Sequence, residues 1–167
     1  MKLSILLVLL FSVSSYAGKG HRHHKAHSHG EGKLNLATDD NELSIEIVIP
    51  GHDIVGFEHK AKTDAQKKKV SDAVKALKDI GANIELPKSA GCTPDEVDVE
   101  VEAHGDHSEF EIEYEYKCKK IGELSFVKVL TFDKFKGMKK LKAQGVTGSG
   151  QHSKTLTPKA STFDLGK

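Results

Sequence analysis

Ten histidines in 167 residues are the side chains of this sequence best suited to chemistry. Five of them fall within nine positions, in the run His21-Arg22-His23-His24-Lys25-Ala26-His27-Ser28-His29. Neutral imidazole ligates zinc, copper and nickel, and this spacing lets a short segment fold several rings onto one ion. Ordering that segment costs on the order of 10 kcal/mol of backbone entropy, comparable to the apparent binding energy of a good structural zinc site. Sites made from His21, His23, His24, His27 and His29 alone are therefore expected to be weak, multiple and exchangeable, and a tight site needs ligands on a folded body. His104 and His107, with Asp106 between them, meet that need at the tip of a predicted hairpin where little backbone is left to order. In Gly56-Phe57-Glu58-His59, His59 and Glu58 offer a ligand or a supporting pair, although neighbours on a strand point in opposite directions. His52, in Pro50-Gly51-His52-Asp53, also follows the first hairpin, and the sequence alone does not bring it or His59 to the hairpin tip; His152 reads as a surface residue. The plainer alternatives are a polar spacer for the histidine run and an ordinary polar turn for the hairpin tip.

Catalysis has little support. The sequence contains no HExxH helix, GxSxG elbow, phosphate-binding loop or dinucleotide fingerprint, so a binding protein is expected rather than an enzyme. The formal charge is +1, and without Met1–Ala17, which carry one lysine and no acid, the 24 basic residues balance 24 acidic ones. That balance argues against a nucleic-acid partner, as does a basic complement consisting of lysines and the single Arg22.

The elements that must position these residues are legible from the pattern of the chain. Residues 1–17 read as a secretory signal peptide: Met1-Lys2, an apolar run from Leu3 to Phe11, and the small residues of Ser15-Tyr16-Ala17. The run is too short to span a bilayer, so no stable membrane insertion is expected. Export makes a structural disulfide the natural reading of Cys92 and Cys118, with zinc thiolates as the alternative. Residues 18–33 hold five histidines and four glycines and are expected to be a flexible tail. From Leu34, alternation through Leu36, then Leu43, Ile45, Ile47 and Ile49, predicts a β-hairpin turning at Asp39-Asp40-Asn41. Thr63 and Gln66 form a capping-box pattern for one long amphipathic helix, with Ala65, Val70, Ala73, Val74, Leu77 and Ile80 on its apolar stripe and Gly81 as its stop.

A second hairpin is predicted where Val97, Val99, Val101 and Ala103 alternate on one strand, and Phe110, Ile112, Tyr114, Tyr116 and Cys118 on the next. Its other face carries Glu96, Asp98, Glu100 and Glu102 opposite Glu109, Glu111, Glu113 and Glu115. These side chains would repel one another, and they read either as a cation-attracting surface or as a solvated face. Leu124, Phe126, Val129, Leu130 and Phe132 suggest a further strand, followed by a turn at Phe135 to Met138 and an irregular β-rich end. The expected fold is α+β: a β-rich single domain of antiparallel hairpins over residues 34–167, with one amphipathic helix, one disulfide and a flexible His-rich N-terminal tail.

The order of these features resembles the ZrgA-like periplasmic zinc-uptake proteins, a family first known as a bacterial domain of unknown function. The matching stretches are His29-Gly30-Glu31-Gly32-Lys33-Leu34-Asn35-Leu36-Ala37, Val55-Gly56-Phe57-Glu58-His59 and Gly91-Cys92. They continue with His107-Ser108-Glu109-Phe110 leading to Tyr116-Lys117-Cys118, then Phe132-Asp133-Lys134-Phe135, Gln144, Gln151 and Leu156-Thr157-Pro158. The resemblance implies a periplasmic protein that captures Zn(II) and supplies it to an inner-membrane transporter component. Some members of the family carry a long His/Asp/Glu run between the two central strands. Here that loop is only Ala103-His104-Gly105-Asp106-His107, and most histidines lie at the N-terminus, which leaves the place of the site open. Two other functions remain in view. One is an envelope interaction module docking through its acidic sheet face and lysine-rich helix; the other is a copper or nickel buffer.

Overall fold

The computed structural model describes residues 28–166, apart from the side chain of His104. The fold is the expected β-rich one. β1 (Glu31–Asp39) and β2 (Glu42–Pro50) form the first hairpin, with Asp40 in the left-handed region at its turn. The second hairpin joins β4 (Cys92–His104) to β5 (His107–Cys118), and β5 lies antiparallel to β2. On the other side, β1 runs parallel to β7 (Lys140–Thr147), which pairs with β8 (Gly150–Leu156). This makes a six-stranded sheet in the order β4-β5-β2-β1-β7-β8. A small second sheet contains β3 (Ile84–Glu85), β6 (Phe126–Val129) and β9 (Thr162–Asp164), in the order β3-β6-β9.

Period-two alternation puts Leu34, Leu43, Ile45, Ile47, Ile49, Phe110, Ile112 and Tyr114 on one face of the large sheet, where all are buried. That face is covered by α2 (Asp64–Leu77) and by the small sheet, whose Phe163 packs where Leu36 and Gly145 meet. The capping box at Thr63 forms as the sequence predicts: its hydroxyl accepts from the Gln66 amide at 3.2 Å, and the Gln66 side chain accepts from the Thr63 amide at 3.1 Å. Tyr114 is buried beneath the other end of α2, where its hydroxyl donates to the Leu77 carbonyl at 2.6 Å. Tyr114→Phe keeps the ring but removes that hydrogen bond, leaving the carbonyl only the longer contact with the Asn83 amide at 3.3 Å, and urea unfolding should show a loss of about 1 kcal/mol.

Several boundaries differ from the sequence reading. β1 starts at Glu31 rather than Leu34. Gly32 has no side chain to reveal the alternation; a Cβ there would lie 2.8 Å from the Val48 carbonyl oxygen. Helix α2 ends at Leu77, and Ile80 and Gly81 belong to a separate 3-10 turn, Ile80–Ala82. The cause is Asn83, whose buried amide donates to the carbonyls of Ala76, Leu77 and Asp79 and takes over the helix end. Phe132 is not in a strand but in the one-turn helix α3 (Thr131–Lys134), where the backbone leaves β6 with its ring still buried. On β4 burial stops at Val99: Val101 is 37% exposed and Ala103 is exposed as well, since β4 is the edge strand, while their register partners Phe110 and Ser108 on β5 stay buried.

Cys92 and Cys118 face each other directly across β4 and β5 and form a disulfide, which removes the zinc-thiolate alternative. Joining residues 26 apart, the bond contributes about 3–4 kcal/mol by the loop-entropy argument. It clamps the end of the ribbon opposite the His107 turn. Among the described residues no helix is long and apolar enough to cross a membrane.

Candidate metal site

Three separated pieces of chain meet at the end of the large sheet: the entry into β1, the segment following α1 (Gly51–Val55), and the first residue of β5. Pro50 closes β2 and leads directly into α1, so the short helix sits beside the start of β5. Gly56 then adopts φ 82, a left-handed helix end that suits glycine, and its amide donates to the His52 carbonyl at 2.9 Å. The reversal brings Glu58 back toward the sheet. Asp53, 4% exposed, accepts the Gly30 amide at 2.7 Å and so fixes the residue next to His29.

The Glu58 carboxylate joins two imidazoles. One oxygen meets His29 Nε2, and the other meets His107 Nδ1 at 2.6 Å. An ionised carboxylate only accepts, so each ring presents an N–H to it. Burial pushes the Glu58 pKa up, but the hydrogen bonds and charges of His107 and His29 outweigh burial and hold it below the ordinary carboxylate value. His52 stacks on the His29 ring, with centroids 4.3 Å apart and planes 9° from parallel, and its Nδ1 lies 3.5 Å from Asp53 Oδ1. The result is two rings tied to one partly buried carboxylate, with a third ring stacked against the first.

Not every residue singled out by sequence joins this group. Glu58 and His107 do, and so does His29, which the pattern of the chain placed in the tail. His59 turns away: it stacks on Phe57 at 5.1 Å, and its Nδ1 lies 3.0 Å from the Lys60 carbonyl. In this irregular segment after α1, Glu58 faces the sheet and His59 faces away from it. Asp106 is exposed in the turn between β4 and β5, and His104 pairs with His107 in backbone register. His21, His23, His24 and His27 lie outside the described residues. His52 is the participant the sequence did not single out as a ligand; its position immediately after the strand-ending Pro50-Gly51 was the available signal. His152 lies in a separate cluster, 2.9 Å from the Thr147 hydroxyl.

Among the described residues no three His, Cys, Asp or Glu side chains stand around a common point as a metal ion would hold them. His29, Glu58 and His107 are closed on one another by hydrogen bonds. What the arrangement can do chemically follows from its atoms: two ring nitrogens and two carboxylate oxygens, a donor set that suits zinc once the bridging protons leave.

The sequence places this domain in a class of zinc uptake proteins. The chain belongs to the ZrgA family of zinc uptake proteins, whose family model matches residues 26–165, so the resemblance noted in the sequence is established. That span contains His27 and His29 as well as Glu58 and His107. No match was found among curated proteins.

Proposed function

We propose that this chain is a non-catalytic periplasmic protein that binds Zn(II) as cargo at His29, Glu58 and His107 and supplies it to an inner-membrane uptake system. The observation that carries the reading is the Glu58 carboxylate linking imidazoles from two distant parts of the chain. A carboxylate flanked by two N–H groups is already organised for positive charge, and a zinc ion takes the place of the two bridging hydrogens after small side-chain movements. His52, stacked on His29, is placed to steady that ring or to add a third nitrogen. His21, His23, His24 and His27 collect ions loosely and lie a few residues upstream of the tight site, so capture and transfer occur on one chain. The disulfide and the apolar start of the sequence support an oxidising, exported setting.

Zinc titration by calorimetry at pH 7.5 tests this on three proteins: the chain from Gly18 onward, the same chain without residues 18–27, and the double variant His29→Ala/His107→Ala. A tight site should survive removal of residues 18–27 and vanish in the double variant. If all bound zinc disappears with residues 18–27, the body is inert and the reading is wrong. The affinity should also depend on pH in a particular way. Both imidazoles must be neutral to ligate, so protons compete with zinc and the affinity should fall steeply as pH drops from 7.5 to 5. Glu58, held below the usual carboxylate range, stays ionised through this window, so two protons compete rather than three. An affinity unchanged between pH 7.5 and 5 would exclude histidine ligation.

A further inference from the structure

A groove of about 400 Å³ opens where α1, α2 and α3 meet. Val55 and Ala73, both buried, form its floor, and the half-buried Ile54, Ala76 and Phe135 form its walls. Along α2 it passes Lys69, Asp72, Ala73 and Ala76, which lie on one helical face at i, i+3, i+4 and i+7 and span about 10 Å, or two turns. Alanine at two of these positions lets another segment approach the α2 backbone closely.

The rim of the groove is cationic. Lys69 and Lys134 are exposed there and have no ion pair among the described residues, whereas Asp72 is taken by Lys68 at 2.8 Å. An apolar trough edged by two free cations suits an apolar stripe flanked by carboxylates. Sites for small molecules cover roughly 70–90% of the ligand, and this groove is open between its lysines, so a small amphiphile would stay largely in water. A helix needs only one face covered. The groove also shares α1 with the metal cluster. Ile54 and Val55 line it, while the two preceding residues, His52 and Asp53, stack on His29 and hold the Gly30 amide. All of α1 is only about 7.5 Å long, so an occupant of the groove sits one short helix away from these groups.

We infer that the groove receives an amphipathic helix of a partner protein, apolar on the face it buries and carrying carboxylates that meet Lys69 and Lys134, and that this seats the partner beside the zinc cluster for transfer. Transfer rests on the functional reading above; docking does not.

The test is a nuclear magnetic resonance titration of isotope-labelled, zinc-free protein starting at Gly18 with two synthetic helical peptides, which share a leucine stripe and carry either glutamate or lysine beside it. The glutamate peptide should shift the amides of Ile54, Val55, Ala73, Ala76 and Phe135 and bind at least about tenfold more tightly than the lysine peptide. Lys69→Glu/Lys134→Glu changes two exposed positions, so it should keep the fold and reverse the preference. Equal binding of the two peptides, an unchanged preference in the variant, or shifts spread along Lys67, Lys68 and Lys75 instead of the groove would overturn the docking. So would decanoate binding more tightly than the glutamate peptide, which makes the groove a site for small amphiphiles. The same shifts on raising the protein concentration alone would make the occupant a second copy and overturn it too. For transfer, zinc-loaded protein is mixed with the glutamate peptide carrying a pair of histidines at each end. Zinc should pass to it at least about fivefold faster from the wild type than from Lys69→Glu/Lys134→Glu, because a docked acceptor reacts as if at high local concentration. Equal rates would overturn transfer. If the peptide docks while calorimetry finds no zinc bound at His29, Glu58 and His107, the functional reading fails and the docking survives.

Discussion

Glu58→Gln should lower the affinity for zinc by at least about 100-fold at pH 7.5 while leaving the circular dichroism spectrum unchanged. Even the loss of a group supporting a metal ligand typically costs 10- to about 100-fold, and Glu58 is placed to be a ligand itself. Glutamine preserves the length and shape of the side chain but removes the negative charge that gathers His29 and His107. It also replaces one acceptor oxygen with an amide nitrogen, which cannot bind a metal and cannot accept from a ring N–H. His59→Ala is the matched comparison, since that ring faces Phe57 and Lys60, and its affinity should stay within about twofold of wild type. Equal losses in the two variants would mean that the Glu58 cluster is not the site. The zinc-free proteins should differ in a second way. A carboxyl whose folded pKa is depressed contributes stability above its unfolded value, near 4.3, and loses it as pH falls through the folded value. The stability difference between wild type and Glu58→Gln should thus be present at neutral pH and close in acid.

The parts of this structure legible in sequence are those set by neighbours along the chain. The alternation from Leu43 to Ile49 and from Phe110 to Cys118 fixed two strands and their buried faces, and Thr63 with Gln66 fixed where α2 begins. Cys118 kept the phase of the apolar face, and the disulfide lies where that phase put it. Where long-range contacts decide, the pattern was silent. Nothing near Ile80 reveals that the amide of Asn83 ends the helix early, and nothing local marks β7 as the parallel partner of β1. The site divides the same way. Glu58 and His107 were recognisable as candidates by type, but they are 49 positions apart and meet only because α1 follows β2 directly and β2 lies against β5. His29 looked like the end of a polar run; its role depends on β1 starting earlier than its apolar residues suggest. Composition pointed to the chemistry, and pairing across the sheet chose which of the described histidines came together.

Gly137→Ala should destabilise the domain by about 3 kcal/mol, an overpacking cost at the upper end of the usual range, and lower the melting temperature by roughly 10 °C. Gly137 is not in a left-handed conformation; glycine is needed for space. A Cβ there would lie 2.3 Å from the Asp53 carbonyl oxygen and 2.7 Å from its Cα, contacts that require backbone movement. Alanine also restricts the unfolded chain, which by itself stabilises by about 0.4–1 kcal/mol, so a large net loss must come from the folded contact. Gly148→Ala isolates that entropic effect, because nothing lies within 4 Å of the Cβ it would add. That variant should be neutral or slightly more stable. The contact also bears on the site, since the backbone that Gly137 touches carries the carboxylate holding the Gly30 amide beside His29. Zinc affinity in folded Gly137→Ala should fall along with stability, whereas Gly148→Ala should titrate like wild type. A Gly137→Ala protein that melts normally would show that α1 has freedom to move, and that the position of His29 does not depend on this packing.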